Sequence, residues 1–280
     1  MSKVDRLLEG ALDIHVHAAP DPKVERRGSA IDVAQQARDM GMQGLVLKSH
    51  EYPTHPVAYT AAQAVPGITL IGGVTLDVEV GGLNPMAVEC SARMGGRVVW
   101  MPTFSARVDR KLKGLSGGIY ILDGQGRLVP EGYAILELVK AHDMVLATGH
   151  LSTEESMALV SEARNLGIGR VVVTHATSMA FMTGMTVEDM KAMAAMGAYI
   201  EHCLHVMMPL SNRLDPRELV ETISAIGTEN CIVSTDFGQD FHPMPPEGLR
   251  MGIATLLQAG MEEVEVGMLV KDNPSRLMGL

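Results

Sequence analysis

At 280 residues the chain exceeds the common single-domain length, yet it stays within the reach of an α/β barrel, which runs to ~250 residues as one unit. Its 33 acidic against 23 basic side chains give a net charge of -10, which excludes a broad electrostatic footprint for nucleic acid. No uninterrupted apolar run of about 18 residues is present to cross a membrane.

The remaining composition bears on the core and the compartment. A hydrophobic share of 46% with only 4% aromatics suits a buried parallel sheet in which the 21 methionines fill much of the volume. Cys90, Cys203 and Cys231 are odd in number and lack Cys-x-x-Cys spacing, so they read as free thiols in a reducing compartment. The first ten residues carry acidic groups where a signal peptide needs an apolar run, and a cytoplasmic protein is expected.

In chain order, short β-branched runs alternate with longer helical patterns, the signature of βαβ units. Strands are predicted at 11–17, 43–49, 68–76, 97–102, 144–149, 169–174, 198–202 and 230–235. Helices are predicted at 29–40, 55–64, 84–95, 131–142, 152–166, 186–196, 215–226 and 247–259. Ser152 to Glu155 offers a capping box, Thr186 to Asp189 an acidic first turn, and Asp215-Pro216 an N-cap followed by proline. Eight such units without a polar linker predict one α/β domain over 1–280, a (β/α)8 TIM barrel with its ligand-bearing loops on the C-terminal rim. The long connection 103–130 is read as a small β-hairpin around Asp123-Gly124, either a lid or decoration, and the tail from Met261 as two short closing helices.

The histidines sort by position. All but His142 of the ten lie at predicted strand ends or just beyond them. His15 and His17 stand two apart at the end of the first strand and face one side of it. His150 ends the fifth strand, His175 the sixth, and Asp236 the eighth. Imidazoles and a carboxylate gathered on one rim are the donor set of a divalent-metal site, zinc being the expected ion with manganese or iron as alternatives. Such an ion lowers the pKa of water towards ~7, and Asp236 can take its proton.

This order of His-x-His, His, His and Asp resembles the amidohydrolase superfamily of metal-dependent TIM barrels, and the ending Lys271-Asp-Asn-Pro-Ser-Arg-Leu-Met-Gly-Leu280 is similar to one often seen there. The resemblance covers nearly the whole chain. It implies His15, His17, His150, His175 and Asp236 as metal residues. It also implies a hydrolase that turns metal-activated water on an amide, cyclic amide, lactone or related ester. Alternatives on the same residues are a phosphoesterase similar to the polymerase-histidinol phosphatase barrels, a metal-dependent decarboxylase and a non-catalytic metal-binding barrel.

The fourth strand departs from the family pattern: Arg97 to Pro102 holds no bridging lysine or acid, so one or two ions are expected. The second strand instead places Lys48 and His50 on one side. Lys48 is carboxylated and bridges two metals, or stays an ammonium that orients an anionic substrate, or forms a rim ion pair. The ammonium is the expected form, because no other residue demands a second metal. His50, Trp100, Arg107 and His202 complete the expected substrate contacts, with core packing the alternative for Trp100 and a solvated charge run with Arg110, Lys111 and Lys113 that for Arg107. Glu201 competes with His202 for the rim. The expected partner is a small molecule, with neither nucleic acid nor membrane, and a homo-oligomer is compatible with the sequence.

Overall fold

The computed structural model describes residues 2–280, except the side chains of Ala180 and Phe181. Nine short parallel strands carry the fold: β1 Leu12–Val16, β2 Gly44–Leu47, β3 Thr69–Ile71, β4 Gly73–Thr75, β5 Val98–Trp100, β6 Val145–Ala147, β7 Val171–Val173, β8 Tyr199–Cys203 and β9 Cys231–Ser234. They form two ladders, β1-β2-β3 and β4 through β9 in sequence order. β3 and β4 are halves of one barrel strand, interrupted at Gly72. A side chain there would meet His55 Cα at 2.4 Å, so only glycine fits. Thr54 fills the break, its hydroxyl donating to Leu47 O at 2.6 Å and accepting from Gly73 N at 3.0 Å.

The ring closes beyond the end of β9. Asp236 N donates to His15 O at 2.9 Å and His17 N to Phe237 O at 2.8 Å, so the first strand pairs with the continuation of the last. This is the expected (β/α)8 barrel. The eight expected helices follow their strands, at Ala30–Asp39, His55–Ala64, Pro85–Arg93, Pro130–Ala141, Thr153–Asn165, Val187–Ala195, Pro216–Ile226 and Pro245–Gln258. The capping boxes at Ser152 and Thr186 form as the sequence suggests. Among the described residues no helix is long and apolar enough to cross a membrane.

Inside the lower barrel, Leu12, Ile14, Val46, Val98, Trp100 and Ile232 pack with Leu277 and Met278 of the last helix, Asn273–Met278. The C-terminal tail is thus a plug. Asn273 anchors it by donating to Thr228 O at 2.9 Å and Cys231 O at 2.7 Å. The connection after β5 keeps its hairpin in reduced form, with one antiparallel bridge between Leu122 and Leu128 around the turn at Asp123. What the sequence did not announce is a helix in that connection, Arg107–Leu112, and another above β7, Ala176–Thr183.

Candidate metal centre and substrate cavity

Strand alternation carries apolar side chains into the lower barrel, and it must break for the histidines to enter the same interior higher up. Ile14 faces the core, and strict period two would bring Val16 in next. Instead the register of β1 against β2 shifts between Asp13 and Val16, Val16 packs outside with the helices, and His15 turns inward. After β6 and β7 a left-handed residue does the same work. Ala147 faces inward, Gly149 takes φ +62 and His150 follows; Val172 faces inward and His175 itself takes φ +32. Asp236 also stands at φ +55, so two side chains of the expected set sit in a backbone region that costs non-glycine residues about 1–3 kcal/mol.

These breaks bring the expected set together. Asp236 Oδ1 lies 3.2 Å from His17 Nε2 and 3.3 Å from His15 Nε2. The donor atoms of the three residues all fall within 4.8 Å of one another. The His175 ring is 5.8 Å from that of His15 and 4.7 Å from that of His150. A cavity of about 260 Å³ opens over them, lined among others by His17, Lys48, His50, His150, His175 and Asp236.

The residues fit a divalent cation. His15 Nε2 and His175 Nδ1 are buried without a hydrogen-bond partner, a costly state for imidazole nitrogen unless something binds them. Burial, aided by the charges of Lys48 and Arg26 and opposed by the hydrogen bond to Asp236, brings His17 down to about 3. Burial likewise drives His50 and His175 well below the usual imidazole value. These rings are neutral at pH 7, with lone pairs to give. Burial would raise the Asp236 carboxyl, but His15 and His17 outweigh it and hold the group ionised, well below the usual value.

Hydrogen bonds from behind decide which nitrogen each ring presents. His15 Nδ1 lies 3.2 and 3.3 Å from the two oxygens of Glu201 and can only donate there, which turns the Nε2 lone pair towards Asp236. Glu201 also accepts from Ser234 Oγ at 2.7 Å and from the backbone N of His175 at 2.9 Å, so it steadies the strained His175 as well. His150 Nδ1 is 2.6 Å from Asp109 Oδ2, and His50 Nδ1 is 2.6 Å from Thr103 Oγ1, which donates onward to Asp77. His17 differs. Its Nδ1 faces Arg26 Nη2 at 3.3 Å, a group that only donates, so giving Nε2 to a metal requires its proton to move to Nδ1 and Arg26 to turn away. A second cluster, His15 with Glu201 and Cys203, shares the same Nδ1; burial keeps Cys203 a neutral thiol, which makes this cluster support for His15.

Not every expected contact reaches the cavity. Lys48 and His50 line it, His50 stacked between His17 at 5.1 Å and Phe104 at 3.9 Å. Trp100 lies beneath, 6.3 Å from His15, within the apolar lower barrel. Arg107 is exposed and stacks on Tyr120 at 3.7 Å, outside the lining. His202 points away from the barrel interior, bonded to Thr177 Oγ1 at 2.5 Å, while its neighbour Glu201 points in. Sequence reasoning missed Arg26 and His205, which line the cavity, and Asp77 and Asp109, which stand behind His50 and His150. Asp77 closes the third strand as Asp236 closes the eighth, a usable signal; Asp109 sits inside a basic run with none.

Glu201→Gln should lower divalent-metal affinity by about 10- to 100-fold, the usual cost of losing a ligand-orienting partner. Zinc titration with a competing chelator checks this, and unchanged affinity would remove Glu201 from the site's support.

Comparison with known proteins adds the following. The model of a family of unknown function, DUF6282, matches residues 10–201. The chain belongs to that family. The matched region of this DUF6282 member holds His15, His17, Lys48, His50, His150, His175 and Glu201, while Asp236 lies beyond it. No curated protein matches the sequence. Among solved structures, an amidohydrolase from Pseudomonas aeruginosa aligns with a TM-score of 0.69 at 12% identity, over 99% of this chain and 98% of that one. An organophosphorus hydrolase from Deinococcus radiodurans aligns at 0.61 and 13% identity, over 99% and 94%. A 2,6-dihydroxybenzoate decarboxylase from Rhizobium aligns at 0.57 and 12% identity, over 97% and 99%. At such identities the likeness is one of fold.

Proposed function

We propose that the chain is a metal-dependent hydrolase that opens an amide, cyclic amide, lactone or related ester. The observation that carries this reading is the convergence of His15, His17 and Asp236 within 4.8 Å, flanked by His150 and His175, at the floor of one cavity. His15, His17 and Asp236 would hold a divalent ion, zinc in this reading, with His150 and His175 available to it or to a second. When bound, such an ion supplies Lewis acidity towards an electrophilic oxygen and makes water acidic near neutral pH.

The chain's own groups do the rest. Asp236, ionised and held at a fixed strand end, would accept the water's proton on Oδ2, the oxygen not set against His15 and His17, and can return it to the leaving group. His50 forms part of the cavity wall, fixed by Thr103, and Lys48 offers an ammonium to a substrate anion. Two of the structural neighbours carry hydrolase titles, which agrees with this choice over decarboxylation. The protein is placed in the cytoplasm as one barrel domain with a small-molecule partner. Its three cysteines, free in the structure, support that placement.

The test is turnover. A panel of lactones, amides and esters should contain substrates that the purified protein hydrolyses, with activity lost to a chelator and restored by zinc or manganese. Release of carbon dioxide without hydrolysis would turn the reading to a decarboxylase.

A further inference from the structure

We propose that the cavity is built for a small substrate that carries a carboxylate, held by Lys48 with Arg26 beside the metal-binding side chains. What happens to that substrate rests on the hydrolytic reading; what it carries rests on the charges of the wall.

Lys48 is only 3% exposed, yet among the described residues its ammonium has neither a hydrogen-bond acceptor nor a carboxylate at ion-pair distance. The centre of the Trp100 ring lies 5.9 Å from its Nζ. Burial pulls the Lys48 ammonium below the usual lysine range while the charges of Asp236, Asp77 and Glu201 oppose this, so an anion bound in contact would complete its pairing. No nearby acid makes that contact, because each is engaged elsewhere. Asp236 is against His15 and His17, Asp77 accepts from the Thr103 and Ser105 backbone, and Glu201 is shared by His15, Ser234 and His175.

Arg26 stands on the same wall. Its Nε and Nη2 are bound to Asp21 Oδ2 at 2.8 and 2.5 Å, which fixes the guanidinium at the cavity edge. Loading of His17 through Nε2 would free Arg26 from His17 Nδ1, since a protonated Nδ1 cannot accept from it. Asp236 is the one acid among the lining residues, and Asp21 already neutralises Arg26, so Lys48 is the lining cation left without a counter-charge in contact. The cavity volume of about 260 Å³ lies below the ~300–1,000 Å³ of drug-sized pockets, so the ligand is small.

The probe is malonate, with malonamide as a neutral molecule of the same outline, titrated calorimetrically into metal-free protein at pH 8. Malonate should bind at least about tenfold more tightly than malonamide, and Lys48→Met should weaken malonate by about 10- to 100-fold without changing malonamide. Lys48→Arg should keep most of the malonate affinity. Equal affinity for the two probes in the unaltered protein overturns the proposal, and that comparison decides alone if Lys48→Met does not fold. Unchanged malonate binding in a folded Lys48→Met protein overturns it too, as does a Lys48 carbamate resonance after incubation with 13C-bicarbonate. No metal or turnover enters the titration. Failure of the hydrolytic reading would leave malonate binding intact, and failure here would leave hydrolysis intact.

Discussion

Replacing His15 and His17 together by alanine should strip the protein of tightly bound divalent metal and leave the barrel folded. The two rings supply two of the three donor atoms that lie within 4.8 Å of one another, and the remaining Asp236, His150 and His175 do not form such a group among the described residues. Folding does not depend on them. The apolar lower barrel, the Asn273 anchor and the layer between strands and helices are separate from the two imidazoles. The substitution does leave Glu201 and Asp236 without these ring partners, so the metal-free double variant should lose about 3–5 kcal/mol of stability while its circular dichroism still reports a folded barrel. Added zinc should raise the melting temperature of the unaltered protein, since a ligand of the native state stabilises it by mass action, and should leave the double variant unmoved. Elemental analysis gives the sharper reading. Full occupancy in the double variant would refute the assignment.

The second large effect is expected at Asp236. Asp236→Asn should reduce turnover by on the order of 10² or more, within the usual range for loss of a general base. Asparagine is the right replacement because it tolerates the left-handed backbone that Asp236 adopts at φ +55, so the strand end and its bond to His15 O survive. The variant should unfold within about 1 kcal/mol of the original. Steady-state kinetics on any substrate from the panel, with denaturant unfolding as control, check both parts. Unchanged turnover would end the role given to this carboxylate.

How far the sequence could be read is set by which interactions are local. The barrel was legible because eight strand-helix units and their capping signals repeat with a regular period, and all of that is short-range. His15 and His17 were legible as a pair for the same reason. That they face the interior, however, depends on a register shift between Asp13 and Val16 that no periodicity shows, since by alternation Ile14 and Val16 would share the inside. The tie between Asp109 and His150 spans 41 residues, and that between Glu201 and His15 spans 186. Such bonds exist only once the ring has closed. Arg107 and His202 were expected at the rim from their positions after a strand. The structure shows Arg107 drawn to an aromatic face at the surface and His202 on the outer parity of β8, with Glu201 inside.

Turnover at this one cavity should depend on the bound metal. The decisive measurement is the hydrolysis rate of a small carboxylate-bearing lactone or amide, followed for the same preparation as purified, after chelation, and after readdition of one equivalent of zinc. The rate should fall to background on chelation and return with the metal, while the His15→Ala/His17→Ala protein stays at background throughout. Hydrolysis that survives complete removal of the metal, or that persists in the double variant, would contradict it.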